Sequence, residues 1–289
     1  MGFAGSLKRG FKFLSEVIDE GMEFGKKHIK SVIGYQLVSM IVAIAAIIVV
    51  GIGAFISIVF LAQYSDIAAY AITAILIISG ILVGGTYSVA AGFGAIEFIY
   101  NGGKKVGYFE PDNVSVAFKW VGFWLGLSIL MVALVAAIVL LVPFGASEAW
   151  ILIAIAVYLM LMLVIFIIAF MLYYVEQELA IKKLGPIKAM KSAFRVFKNN
   201  FWETLVFAIL VAIGSAVLQV PIQLIASLIG QAAMVATAAT AVLLPLGIIV
   251  MVITLIVRVI VAIVVESAAL ILKVKFYQKI TKPKTKKAA

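Results

Sequence analysis

Arg258 is the residue of this sequence whose position most demands a chemical explanation. It lies inside an apolar run, 13 residues after Pro245 and 15 before Lys273, about 20 Å from either at 1.5 Å per residue. A guanidinium near mid-bilayer costs about 2.5–3.5 kcal/mol on insertion scales, so it should face water, an anion or a partner within a helix bundle. Two carboxylates are candidates to meet it: Glu266, two turns along on a similar face, and Glu97, from another part of the chain. One reading is an ion pair or carbonyl clamp that only fixes packing. The other is an arginine in a wet cavity, which would favour an anionic solute. A second polar feature is the row Ser215, Gln219, Gln223, Ser227 and Gln231, spaced by four, with Pro221 among them. Either the row lines a cavity and Pro221 frees a backbone carbonyl there, or the helix ends early and an outer interfacial helix follows.

Catalytic signatures are missing. The single histidine, His28, sits in a lysine-rich segment, where an interfacial role is expected. No H-E-x-x-H, G-x-x-x-x-G-K or G-x-S-x-G pattern occurs. Gly102-Gly103-Lys104-Lys105 reads as a turn with cations, without the upstream glycine of a phosphate loop. Glu176 and Glu178 are two apart and point to different faces of a helix. Cysteine is absent, which excludes disulfides, thiolate catalysis and cysteine metal sites. The expectation is a protein that is not an enzyme, with no cofactor and no metal.

The elements that must position these residues are transmembrane helices. Hydrophobic residues are 65% of the 289 and charged ones 12%, against about 45–50% and about 25% in soluble domains. Runs long enough to cross about 30 Å of hydrocarbon occur at Gln36–Leu61, Ile67–Ile96, Val121–Val142, Ala149–Tyr174, Thr204–Ile229 and Ala241–Leu272. The connections at 62–66, 143–148 and 230–240 carry no base. Of the 23 Lys and Arg residues, all but Arg258 fall on the opposite side. The positive-inside rule then puts both termini in the cytoplasm of a multi-pass cell-membrane protein. The net charge of +10 reads as cytoplasmic anchoring and attraction to anionic lipid headgroups, with no nucleic-acid partner. Gly80-x-x-x-Gly84 and Gly122-x-x-x-Gly126 are close-packing motifs.

The fold class is therefore all-α: a polytopic bundle of six spans, arranged as three hairpin repeats with cytoplasmic amphipathic helices. Met22–Val38 lies without gaps on Met190–Val206, pairing Lys27 with Arg195, Lys30 with Lys198 and Leu37 with Leu205. A weaker copy starts at Ala117-Phe118-Lys119. Each unit reads as a lead-in helix, a span out, a tight turn and a span back. On the return spans Glu97 precedes Lys104, Glu176 precedes Lys182 and Glu266 precedes Lys273 by six or seven residues. One membrane domain would cover 1–289, with repeat-like units 17–105, 108–184 and 185–278 and a basic tail at 273–289.

The third lead-in helix is the sharpest of these elements. Gly185-Pro186 supplies a break and a favoured first helical position. Ile187, Met190, Phe194, Phe197 and Phe201 then form an apolar stripe beside a basic one of Lys188, Lys191, Arg195 and Lys198. Such a helix suits the headgroup layer, apolar side down and cations toward phosphate. The N-terminal stretch has a similar face of Phe3, Leu7, Phe11, Leu14, Ile18 and Met22. Either stripe could instead dock on the protein's own spans.

The run Gly-Pro-Ile-Lys-Ala-Met-Lys-Ser-Ala-Phe-Arg-Val-Phe-Lys-Asn-Asn-Phe-Trp-Glu-Thr-Leu at 185–205 resembles the multi-span membrane domain found with glycerophosphodiester phosphodiesterases and related prokaryotic membrane families. The likeness covers about thirty residues closely and the six-span layout loosely. It implies architecture and no activity, since that family's chemistry resides in a separate soluble barrel. The expected function is non-catalytic: organising anionic lipid, or a protein partner, at the cytoplasmic face, with Lys188, Lys191, Arg195, Lys198, Lys27 and Lys30 as lipid contacts. The alternative is a channel or transporter for a small anionic solute, with Arg258, Glu266, Glu97, Gln219 and Gln223 as its intramembrane polar site.

Overall fold

The structure, a computed structural model, describes residues 3–61, 63–141, 160, 168, 170, 172–239 and 244–281. Every element among the described residues is helical. They are α1 (Phe3–Ile56, closing in a π-turn at Ser57–Leu61), α2 (Asp66–Tyr100), α3 (Pro111–Leu141), α4 (Val175–Lys182), α5 (Pro186–Asn199), α6 (Phe201–Ala239) and α7 (Leu244–Thr281). Local chemistry sets several boundaries. The Ser65 hydroxyl accepts from the Ala68 N–H at 3.3 Å and Asp66 occupies the first turn of α2, as capping and the helix dipole favour. Pro111 and Pro186 open α3 and α5 at a position where a missing N–H is harmless.

Five of these helices, α1, α2, α3, α6 and α7, are long and apolar enough to cross a membrane. Their large side chains are left uncovered by the rest of the chain, among them Ile47 at 71%, Ile67 at 82% and Val217 at 65% exposed. Water does not tolerate apolar surface on that scale. The protein is a helical, multi-pass membrane protein. The remaining expected span, Ala149–Tyr174, lies almost wholly outside the described residues.

Two expectations are corrected. The lead-in segments of the first two units are not separate elements: α1 and α3 run unbroken from them into the apolar stretch, and only the third is set apart, at Asn200. The turn expected from Gly230 is still helical to Ala239, and of the two readings of Pro221 the one in which the helix ends early is not met. At 1.5 Å per residue the 39 residues of α6 run about 58 Å, nearly twice the hydrocarbon thickness. Among the described residues, the first glycine motif is a close contact. A Cβ on Gly80 would overlap Val50, and one on Gly84 would overlap the Ala46 Cβ, whereas one on Gly122 or Gly126 meets nothing within 4 Å among the described residues.

The chain divides into two compact units. The first comprises Met1–Leu37, Phe98–Lys104 and Asn200–Ala289, the second Val38–Glu97 and Lys105–Asn199. In the first, the N-terminal part of α1 docks on the chain itself. Leu14, Val17 and Phe24 are buried, Phe13 meets Phe276 edge-on at 5.6 Å, and Phe276 stacks on Phe207 at 4.2 Å. Lys279 pairs with Glu16 and Glu20 at 2.9 and 3.1 Å. Ile18 and Met22 stay exposed, so the N-terminal face expected to be apolar is split between the protein and its surroundings. The end of α2 joins this unit through a C-cap. The Gly103 N–H donates to the Phe98 carbonyl and Gly102 to Ile99, with Gly102 at φ +71°, the Schellman arrangement that glycine permits. Gly103 also lets His28 approach, since a Cβ there would sit 2.7 Å from the ring. His28 packs on Phe24 and Phe98, a structural seat.

In the second unit α1 and α2 form a tight antiparallel pair. Ser39 and Ser88 share a hydrogen bond at 2.9 Å, and Ser57 donates to the Ala69 carbonyl at 3.1 Å. Gly84 is the closest approach that no rotamer change can relieve, because its neighbour is an alanine. Gly84→Ala should therefore lower stability by about 1–3 kcal/mol through overpacking. Gly122→Ala should be neutral or stabilising, as alanine is the better helix former. Thermal unfolding of the two variants in detergent reads the difference, and equal midpoints would show that the glycine contact carries no weight.

Candidate functional site

Two clusters hold the polar groups of interest, one in each unit. In the second unit α3, α4 and α5 pack together around a closed ring of three side chains. Lys183 Nζ pairs with Glu97 Oε1 at 2.8 Å, Asn113 Nδ2 donates to Glu97 Oε2 at 2.8 Å, and Lys183 also donates to Asn113 Oδ1. Asn113 is fully buried. The local chain explains why Lys183 arrives there. It caps α4 in a left-handed conformation at φ 52°, which a side chain adopts only at a steric cost. Beside it on α4, Glu178 is buried and ion-paired with Lys182 at 2.8 Å. Gln177 is buried with neither end of its amide hydrogen-bonded among the described residues.

That ring fixes the helix that follows. On α5 Ala189, Ala193 and Phe197 are buried, the last edge-on to Phe170 at 5.2 Å. At 100° per residue, Lys188, Lys191, Arg195 and Lys198 point directly away from that buried face. All four are exposed, and none forms an ion pair among the described residues. Ile187, Met190 and Phe194 lie on the flank between, with Ile187 62% exposed. The sequence suggested two stripes; the structure has three faces. Phe197 leaves the apolar stripe for the protein side.

In the first unit α6 and α7 pair along their length and bring Arg258 beside the row of glutamines. An open groove of about 500 Å³ is lined by Val220, Gln223, Leu224, Ser227 and Arg258. Arg258 is half-buried, and its Nε is inaccessible with no hydrogen-bond partner among the described residues. Neither expected carboxylate serves it. Glu266 is exposed without an ion pair among the described residues, and Glu97 is engaged by Lys183 and Asn113. Gln219 is half-buried and does not line the groove, while Ser215 lies in a separate apolar cleft with Leu14, Phe207 and Leu272. Lys27 is exposed and paired with Glu23 at 2.8 Å, and Lys30 is exposed.

Residues 111–280, more than half of the chain, match the family model described as a domain of unknown function, DUF7847. The chain belongs to the DUF7847 family. The DUF7847 match opens on Pro111, the first residue of α3, and closes at Ile280, near the end of α7. It contains Asn113, Lys183, all of α5 and Arg258, and leaves out Glu97. No curated protein and no solved structure matches the chain. The DUF7847 residues that sequence reasoning missed are Asn113, Gln177 and Lys183, and Glu178 was read only as facing away from Glu176. Their signal is weak. Asn113 follows Pro111-Asp112 as an ordinary helix-start residue, and Lys183 looks like one more cation of the basic segment.

Proposed function

We propose that this protein is a non-catalytic component of the cell membrane that gathers anionic lipid at the cytoplasmic face through α5. The observation that carries the reading is the division of α5 into three faces: Ala189, Ala193 and Phe197 on the protein, Ile187 and Phe194 on the flank, and opposite the protein four exposed cations with no ion pair among the described residues. A helix lying along the side of a bundle at the headgroup level needs that division. One face holds the protein, one enters the acyl boundary, and one meets phosphate. Each cation near an anionic surface is worth about 1 kcal/mol. The arrangement of cations in the sequence supports six spans in three hairpin repeats, with both termini on the same cytoplasmic side and Lys27 and Lys30 adding to the basic surface. An architecture of the kind seen in the phosphodiesterase-associated membrane domain accords with it.

Lipid carried through purification tests the proposal. In nanodiscs of mixed neutral and anionic lipid, the protein should hold the anionic species several-fold above bulk. The combined variant Lys188→Gln, Lys191→Gln, Arg195→Gln, Lys198→Gln should return the ratio to bulk. Undiminished enrichment in that variant would remove the lipid role. The basic face would then be assigned to a protein partner.

A further inference from the structure

We infer that the α6–α7 groove at Arg258 is a binding site for a monovalent oxyanion, a carboxylate. This goes beyond the surface role of α5 and rests on a different part of the chain. The groove holds one permanent cation, one amide and one hydroxyl: Arg258, Gln223 and Ser227, set among Val220 and Leu224. Its volume of about 500 Å³ falls in the range of small-ligand pockets. A structural arginine at this depth would be answered by backbone carbonyls or by an acid of the chain, and the buried Arg258 Nε meets neither among the described residues. The nearest acid in sequence, Glu266, lies eight residues away, about 12 Å along α7, and is exposed without pairing to it. Glu16 and Glu20 are occupied by Lys279. Glu203 opens α6, twenty residues before Gln223, about 30 Å distant along the helix.

The charge of the ligand follows from that of the site. In a low-dielectric groove a single guanidinium is neutralised by a single negative charge, and a dianion would leave a net charge buried. The planar fork of arginine matches a carboxylate in two parallel hydrogen bonds. Gln223 and Ser227 add an amide donor and a hydroxyl donor from the facing helix, enough to fix orientation. Two sources share this chemistry: a small carboxylate arriving from water along the Gln231–Ser227 side, and the headgroup of a fatty acid arriving from the bilayer.

Full-length protein in neutral phosphatidylcholine nanodiscs, titrated with radiolabelled butyrate and radiolabelled laurate, tests the site. Saturable binding of butyrate identifies the aqueous source, and saturable binding of laurate alone the lipid source. Binding should weaken at least tenfold in Arg258→Gln, weaken less in Arg258→Lys, and be absent for methyl laurate, which has the chain and lacks the charge. Should Arg258→Gln not yield folded protein, Gln223→Leu and Ser227→Ala should each weaken binding severalfold. Absence of saturable binding by both probes, undiminished binding in the folded variants, or equal binding of methyl laurate would overturn the inference. The part of the binding that is lost in Arg258→Gln should persist in the four-cation α5 variant, so failure here and failure of the lipid-surface role are read separately.

Discussion

Lys183→Met should cost the protein about 2–3 kcal/mol and lower its thermal midpoint by roughly 5–10 °C. The substitution keeps the length of the side chain and the left-handed backbone at 183, so it removes the charge and little else. What remains is Glu97, mostly covered, with one oxygen still held by Asn113 and the other without its ammonium partner. Asn113, fully buried, also loses the group that donates to its carbonyl oxygen. Removing one partner of a largely buried pair is expensive because the other charge stays behind. Glu97→Gln should cost less, since the amide is neutral and still accepts from Asn113. The double variant should be milder than the two effects added. A thermal-unfolding cycle over the four proteins measures this coupling, and strict additivity would mean the ring is not an energetic unit.

The contrast between this ring and the membrane spans shows what the chain discloses locally. Spans are read from composition over about twenty residues, and α1, α2, α3, α6 and α7 lie where hydropathy put them. Gly185-Pro186 is an equally local signal, and α5 starts there. The Glu97–Asn113–Lys183 ring joins residues 16 and 70 positions apart, a distance at which pattern carries no information about contact. Locally the sequence shows only that Glu97 precedes Lys104 and Glu176 precedes Lys182. The return of the chain at α4 brings Lys183 to Glu97 and Glu178 to Lys182.

Pro221 left two readings open for a related reason. In water a proline inside a helix breaks it, because a freed carbonyl finds solvent. In lipid a broken helix has nowhere to send its backbone groups, and the helical path is retained; α6 accordingly passes through. The Arg258 groove was half legible. The four-residue spacing placed Gln223 and Ser227 on one stripe, and the antiparallel hairpin sets that stripe against Arg258. The identity of the counter-charge was not legible, because both candidate acids are turned elsewhere.

The N-terminal stretch gives the second large effect. Two apolar sets share its helix, and only packing distinguishes the one that docks on the chain from the one left outside. Phe276→Ala should destabilise the protein by about 3–4 kcal/mol, the range for deleting a buried aromatic ring. Phe276 is fully buried, stacked on Phe207 within 14° of parallel and edge-on to Phe13, so its loss removes two aromatic contacts as well as volume. Met22→Ala on the exposed side of α1 should change stability by less than about 0.5 kcal/mol. The comparison separates the two roles of one helix. If α1 is held mainly through its Phe13–Leu14–Val17 face, Phe276→Ala should also open the segment around Lys26 and Lys27 to trypsin at temperatures where the unaltered protein resists. Met22→Ala should leave cleavage unchanged. Equal protease resistance in all three proteins would mean that docking on α7 does not hold the N-terminal part of α1, and that the lipid surface does.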